Sequence, residues 1–413
     1  MKNVPHWAIL INNKSNKKLL IQELIKKGHY QNLSFFKKRK ISLFSRSTIA
    51  HFIDIEDRHE DKKLTKDSTQ ALKTLSSGEQ KKALLQYLFT TDTEAIILDN
   101  PFDNLDTNSQ KNLRETLAKK ANTYCFIQIL SREKDLLPFI THFAFLENDT
   151  LHPYTSFQQM LTSKKEEPLI GKIPPPISAS DYDKKTLIDL RNINVSFEGR
   201  KVLQNINWKI EQNSFWQLIG ENGSGKTTLL SMITGENPKG YGQELYLFGR
   251  KKGSGESIWD IKKRIGYFTP SMTDKFTGYH SVEQMLISGF NDSIGLYVRP
   301  TEIQKQLAKK WLILLQMWPL KDTLYTNLSI GLKRLVMTTR AMVKHPDLLI
   351  LDEPTAGLDD ASARLLVSLV RKIATETKTT IIFVSHREEE GLQTSKRFVL
   401  TPSKNGSTGS IVQ

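Results

Sequence analysis

Apolar residues along this chain fall into short runs that stop abruptly at glycine, asparagine or acidic residues. Trp216–Ile219 is one such run and predicts a short buried strand, and Thr227–Thr234 begins a helical pattern. Gly220-Glu-Asn-Gly-Ser-Gly-Lys-Thr-Thr228 joins the two. Leu187–Trp208 alternates polar and apolar residues, which predicts half-buried β-structure. Leu348-Leu-Ile-Leu is apolar throughout and runs into Asp352-Glu353-Pro354. Thr380-Ile-Ile-Phe-Val-Ser runs into His386. Uninterrupted apolar runs of this length predict parallel strands buried on both faces, in an α/β protein.

The pattern repeats. Trp7–Leu20 aligns with Trp216–Leu229 without a gap. Leu75-Ser-Ser-Gly-Glu-Gln-Lys-Lys aligns with Leu328-Ser-Ile-Gly-Leu-Lys-Arg-Leu, and Ile96-Ile-Leu-Asp-Asn-Pro with Leu349-Ile-Leu-Asp-Glu-Pro. Ser76 precedes Asp99 by 23 residues, as Ser329 precedes Asp352. Two copies of one nucleotide-binding domain are therefore expected, head to tail, over residues 1–150 and 186–413. Residues 151–185 hold Ile173-Pro-Pro-Pro and are expected to be an extended linker. His152–Thr162 is expected to be a short closing helix of the first copy. The first copy is expected to be truncated. Lys17 and Ser76 are 59 residues apart, whereas Lys226 and Ser329 are 103 apart, and nothing before Trp7 matches Leu187–Trp208.

A chain of 413 residues suits two domains, and 38% hydrophobic residues suffice for their cores. No run of 18 apolar residues predicts a membrane span, and the first residues lack a signal-peptide core. The single cysteine, Cys125, excludes an internal disulfide and fits a reducing cytoplasm. The expected location is cytoplasmic, or peripheral at the inner membrane face. The net charge of +15 suits anionic partners without singling one out.

Gly220, Gly225, Lys226 and Thr227 fill every fixed position of the phosphate-binding pattern G-x-x-x-x-G-K-[ST]. Gly220, Gly223 and Gly225 free the backbone to wrap a phosphate. The following helix offers N–H groups and the positive end of its dipole. Lys226 supplies charge to the phosphates, and the Thr227 hydroxyl suits Mg²⁺. Asn222, Ser224 and Thr228 complete the expected ATP loop. Asp352 is the second candidate Mg²⁺ group. Glu353 is placed to activate water, and His386 to hydrogen-bond the γ-phosphate.

This ordered set resembles the ATP-binding cassette (ABC) ATPases: phosphate loop, Leu-Ser-x-Gly-x segment, Asp-Glu strand, Gly-Leu-Asp loop and terminal histidine. The resemblance implies two cassettes, each a mixed sheet with a helical subdomain, and ATP and Mg²⁺ as cofactors. It also implies that ATP lies between the phosphate loop of one cassette and the signature of the other. The first composite site would join Lys226, Thr227, Asp352, Glu353 and His386 to Ser76, Ser77, Gly78 and Glu79. Phe197, 19 residues before Trp216, falls where the family stacks an aromatic ring on adenine, although an alternating strand would also bury such a residue. The family's glutamine after the strand Arg264–Phe268 is replaced by Thr269-Pro-Ser. Ser288–Tyr297, Gln316-Met-Trp and Ala341–Pro354 are similar to the ModF group of paired bacterial cassettes, named for molybdate transport and also for photorepair.

The second composite site is expected to be degenerate. Ile11, Lys14 and Asn16 stand for the three glycines, Lys18 for the magnesium hydroxyl, Asn100 for the glutamate and Arg132 for the histidine. Across from them, Ile330 and Leu332 replace signature residues. The expected function is an ATP hydrolase with one competent site. The alternatives are the energy subunit of a separate membrane permease, a factor of ABC-F type acting on the ribosome or nucleic acid, and a non-hydrolysing ATP-binding scaffold. The Pro-interrupted linker and the degenerate site count against the ABC-F type, and Glu353 and His386 against the scaffold.

Overall fold

A computed structural model describes residues 4–13, 15–31, 33, 36–37, 39–66, 70–161, 169, 171–274, 276, 278–385, 389 and 391–412. The chain divides into two compact units. One comprises Met1–Glu166 with the short segment Gly357–Ala361, and the other comprises the rest.

The first unit holds, in chain order, β1 (Trp7–Ile11), α1 (Lys17–Lys27), β2 (Ile41–Phe44), α2 (Arg46–His59), α3 (Ser77–Thr90), β3 (Ala95–Asp99), α4 (Thr107–Lys120), β4 (Cys125–Leu130), β5 (His142–Glu147), β6 (Thr150–Tyr154) and α5 (Phe157–Leu161). Its sheet runs β2-β3-β4-β1-β5-β6, parallel except for the last pair. β3 and β4 are buried almost throughout, as their apolar runs require. The expected helix His152–Thr162 is not continuous: His152–Tyr154 completes β6, where Leu151 turns inward, and among the described residues of that stretch Phe157–Leu161 is helical.

The second unit holds β7 (Thr186–Phe197), β8 (Arg200–Glu211), β9 (Phe215–Gly220), α6 (Lys226–Ile233), β10 (Glu244–Leu247), β11 (Arg250–Lys251), α7 (Ile258–Arg264), β12 (Ile265–Phe268), α8 (Pro270–Asp274), α9 (Val282–Ile287), α10 (Glu302–Leu314), α11 (Ile330–Met342), β13 (Leu348–Asp352), α12 (Asp360–Glu376), β14 (Thr380–Val384), β15 (Lys396–Thr401) and β16 (Thr408–Val412). Its main sheet runs β12-β13-β14-β9-β15-β16 with the same directions as the first unit's sheet. A second, antiparallel sheet, β11-β10-β7-β8, is built largely from the alternating stretch.

The two sheets of this unit share one core. Trp208 on β8 stacks on Phe398 at 4.3 Å and meets Trp216 edge-on at 5.5 Å. Truncating a buried aromatic of this size typically costs about 3–5 kcal/mol.

The proline-rich segment is tied down. The Ile173 N–H donates to Glu376 at 2.8 Å, His345 bonds the Pro174 carbonyl at 2.8 Å, and Asp181 pairs with Arg264 at 2.8 Å. Burial lowers the His345 pKa, so its ring is neutral at neutral pH and donates to that carbonyl. Among the described residues no helix is long and apolar enough to cross a membrane.

Candidate functional site

The phosphate loop leaves the end of β9 and enters α6 at Lys226. A Cβ on Gly220 would lie 2.5 Å from the Ser224 hydroxyl and 3.1 Å from the Leu400 carbonyl oxygen, so only glycine fits there. Gly223 and Gly225 take left-handed φ values of +78° and +88°. Gly225 caps α6 without a side chain, which leaves the first N–H groups of the helix to other acceptors. Lys226 is buried, and its ammonium donates to the carbonyls of Gly220 at 2.7 Å and Glu221 at 2.9 Å. Ser224 is fully buried, and its hydroxyl has no hydrogen-bond partner among the described residues. Asn222 and Thr227 are exposed, and Thr228 is half-buried. An orphaned hydroxyl, two left-handed glycines and an uncapped helix start fit a phosphate chain.

β13 delivers the carboxylates. Asp352 ends the strand and Glu353 follows it, both half-buried. The Glu353 backbone is left-handed at φ +48°, and its N–H donates to the Val384 carbonyl at 3.0 Å. β14 lies between β13 and β9 in the sheet, so the acidic pair and the phosphate loop leave nearby strands at the same edge. Burial, and secondarily the Asp352 charge, pushes up the pKa of the Tyr267 phenol on β12. Among the described residues no three His, Cys, Asp or Glu side chains cluster; the groups here that could hold a magnesium ion together with phosphate oxygens are the Thr227 hydroxyl and the Asp352 carboxylate.

Phe197 closes β7 and is 41% exposed, outside the core, with the Lys239 ammonium 5.7 Å from its ring centre. His386 lies outside the described residues. Thr269, at the place of the missing glutamine, leads directly into α8.

No sequence motif singles out Arg334. It is buried on α11, and its guanidinium donates to the carbonyls of Pro354 at 3.2 Å and Glu353 at 3.4 Å. The repeat holds a signal for it, because Lys81 occupies the aligned position in the first copy. Its ammonium donates to the Pro101 and Asp103 carbonyls at 2.8 and 2.6 Å.

In the first unit the equivalent loop is put to other uses. Asn16 stands where Gly225 does, but at φ −82°, and its side chain caps α1 by accepting from the Leu19 N–H. Lys17 forms an ion pair with Asp99 at 2.9 Å. Asn100 is left-handed like Glu353, at φ +43°, and its side-chain oxygen accepts from the Ser131 N–H and hydroxyl, both at 3.0 Å. Arg132 is buried and donates to the Leu358 carbonyl at 3.0 Å, and the Asn13 N–H donates to the Asp359 carboxylate at 2.8 Å.

The same unit carries the better preserved signature. Ser76 caps α3 in a reciprocal capping box with Glu79, and the Glu79 carboxylate accepts from the Ser76 hydroxyl at 2.6 Å and N–H at 2.8 Å. Those bonds lower the Glu79 pKa. Ser77 and Gly78 follow in the first helical turn, and Ser76 and Ser77 are exposed.

Such a loop, with a carboxylate strand one strand away on the same mixed sheet, defines a P-loop nucleotide-binding protein of ABC type. The ABC transporter family model matches residues 203–356. The ABC transporter ATP-binding protein ModF of Escherichia coli is 38% identical over 331 residues, which are 77% of this chain and 68% of that protein. An uncharacterized ABC transporter ATP-binding protein of Schizosaccharomyces pombe is 30% identical, covering 78% of this chain and 66% of that one. The chain thus spans about two thirds of the length of these relatives. A chain in a model of ribosome-bound archaeal Pelota and ABCE1 superposes on 98% of this one with a TM-score of 0.66 at 14% identity, a likeness of fold. This chain belongs to the ABC transporter ATP-binding family.

Proposed function

We propose that the chain is a tandem-cassette ATP hydrolase with one competent site and one degenerate site. The cassettes are residues 1–150, extended through α5, and 186–413, joined by the proline-rich segment. The first is shortened between its phosphate loop and its signature. The competent site holds Mg-ATP on Gly220–Thr228, with Thr227 and Asp352 on the metal and Phe197 on the adenine. Glu353 activates the water and His386 bonds the γ-phosphate. Ser76, Ser77, Gly78 and Glu79 complete the site from the first cassette. The observation that carries this reading is the contrast between the loops. The second is wound on left-handed glycines, whereas in the first Asn16 caps a helix and Lys17 is neutralised by Asp99.

Calorimetric titration of Glu353→Gln with Mg-ATP is expected to give a stoichiometry near one. Two equivalent tight sites would refute the asymmetry. Gly225→Ala is expected to weaken this binding roughly tenfold. A side chain at φ +88° adds about 1–2 kcal/mol of backbone strain, and its Cβ would lie 2.7 Å from Leu203. Unchanged affinity would show that ATP does not need this loop conformation.

The similarity to ModF supports a role as the ATP-binding subunit of a transport system with a separate permease. A soluble regulatory ATPase, or a factor acting on the ribosome or nucleic acid, is the second reading, favoured by the likeness in fold of nearly all of this chain to one in the ribosome-bound Pelota and ABCE1 model and by the +15 charge. Pull-down with Glu353→Gln under ATP separates them by what is captured: a permease, a ribosome or neither.

A further inference from the structure

The Glu353 backbone is in an unfavourable conformation. A left-handed φ of +48° is uncommon for a non-glycine residue, and such conformations persist where the surroundings over-determine them. Three contacts do so. The N–H is held by the Val384 carbonyl on β14, and the carbonyl accepts from the Ala356 N–H at 3.2 Å and from the Arg334 guanidinium on α11 at 3.4 Å. The same guanidinium holds the next carbonyl, that of Pro354, and lies 5.9 Å from the ring centre of Phe268, the last residue of β12. One buried cation thus joins α11, the turn after β13 and the strand that leads into Thr269.

We propose that Arg334 is a positioning residue for hydrolysis, fixing the Glu353 backbone so that its carboxylate meets the attacking water, and tying that carboxylate to the helix that Ser329 caps. The proposal rests on the reading of Glu353 as the water-activating group. The first unit provides an internal comparison. Asn100 holds the matching left-handed position, and asparagine tolerates it better than glutamate. There Lys81 donates to the carbonyls of Pro101 and Asp103. Where Glu353 stands in place of the amide, the aligned cation donates to that residue's own carbonyl and to the next one. An arginine suits this task because it keeps its charge when buried, and here one nitrogen, Nη1, reaches both carbonyls. Through it, a tilt of α11 moves the Glu353 backbone.

Arg334→Met removes the donors and keeps most of the buried volume. Displacing a catalytic group by about 1 Å can cost roughly 10²-fold in rate. The expected result is a kcat lowered by that order with KM and Kd for Mg-ATP unchanged. Arg334→Lys should recover most of the rate, since a lysine fills the same position in the first unit. On the Glu353→Gln background Arg334→Met should cost nothing further in single-turnover hydrolysis, because the group it positions is gone. Arg334→Leu, which also lacks donors, serves the same cycle if the methionine variant does not fold. A normal kcat for the Met or Leu variant, a loss expressed in KM and Kd, or losses that multiply with Glu353→Gln would each overturn the positioning role. Full turnover by Glu353→Gln alone would instead remove the reading of Glu353 itself, and the Arg334 proposal with it. Slow Glu353→Gln beside normal Arg334 variants removes only the latter.

Discussion

Glu353→Gln is expected to bind Mg-ATP as the parent protein does and to hydrolyse it roughly 10²–10⁴-fold more slowly, the usual scale for losing a general base. The substitution is nearly isosteric, so the Val384 and Arg334 contacts to the residue 353 backbone remain available. What changes is that an amide cannot accept the proton of the attacking water. The chain carries a natural precedent in its first unit. Asn100 holds the same left-handed position at the end of β3, and its side chain serves Ser131 instead of a water. An amide at this place is therefore structurally well tolerated, and loss of rate in Glu353→Gln need not reflect misfolding. Steady-state ATPase assays with a binding measurement on the same sample decide the matter. Full turnover would show that another group activates the water.

Much of the fold around this carboxylate is legible in the amino-acid sequence. The apolar runs ending in Asp99 and Asp352 form β3 and β13, and the alternating stretch forms β7 and β8. Such patterns are legible because strand burial writes itself directly into hydrophobic periodicity. The loop glycines are legible for a different reason, since φ +78° and +88° admit little else. What stays hidden depends on distant partners. The helix Arg46–His59 is rich in charge, and its buried Glu56 is stabilised by accepting from the Leu72 N–H, a contact no local pattern announces. By its sequence Arg334 is one more charge on a basic helix, yet it is buried against two carbonyls that lie 19 and 20 residues further along the chain. The proline run predicts an extended linker, and only the fold brings Glu376 and His345 beside it.

Ser76→Arg is expected to abolish most ATP turnover while Ser329→Arg costs far less, although the two serines are equivalent in sequence. The proposed competent site takes its signature from the first cassette, so an arginine at position 76 would put a bulky side chain where the γ-phosphate must dock. The structure makes the pair a matched control. Both serines are helix N-caps, Ser76 of α3 and Ser329 of α11, each accepting from the N–H three residues on. Losing either cap costs about 1 kcal/mol, a cost common to both variants that cancels in the comparison. One local difference favours a larger stability effect at Ser76, whose capping box also holds Glu79. A thermal melt on each variant measures that difference independently of turnover. ATP should still bind Gly220–Thr228 in Ser76→Arg, because the loop belongs to the second unit. Lys17→Ala should be nearly silent, since its ammonium is already committed to Asp99 at 2.9 Å and Asn16 replaces the glycine before it. Equal rate losses for Ser76→Arg and Ser329→Arg would sink the one-site reading. A fully active Ser76→Arg would remove the first cassette's signature from catalysis altogether.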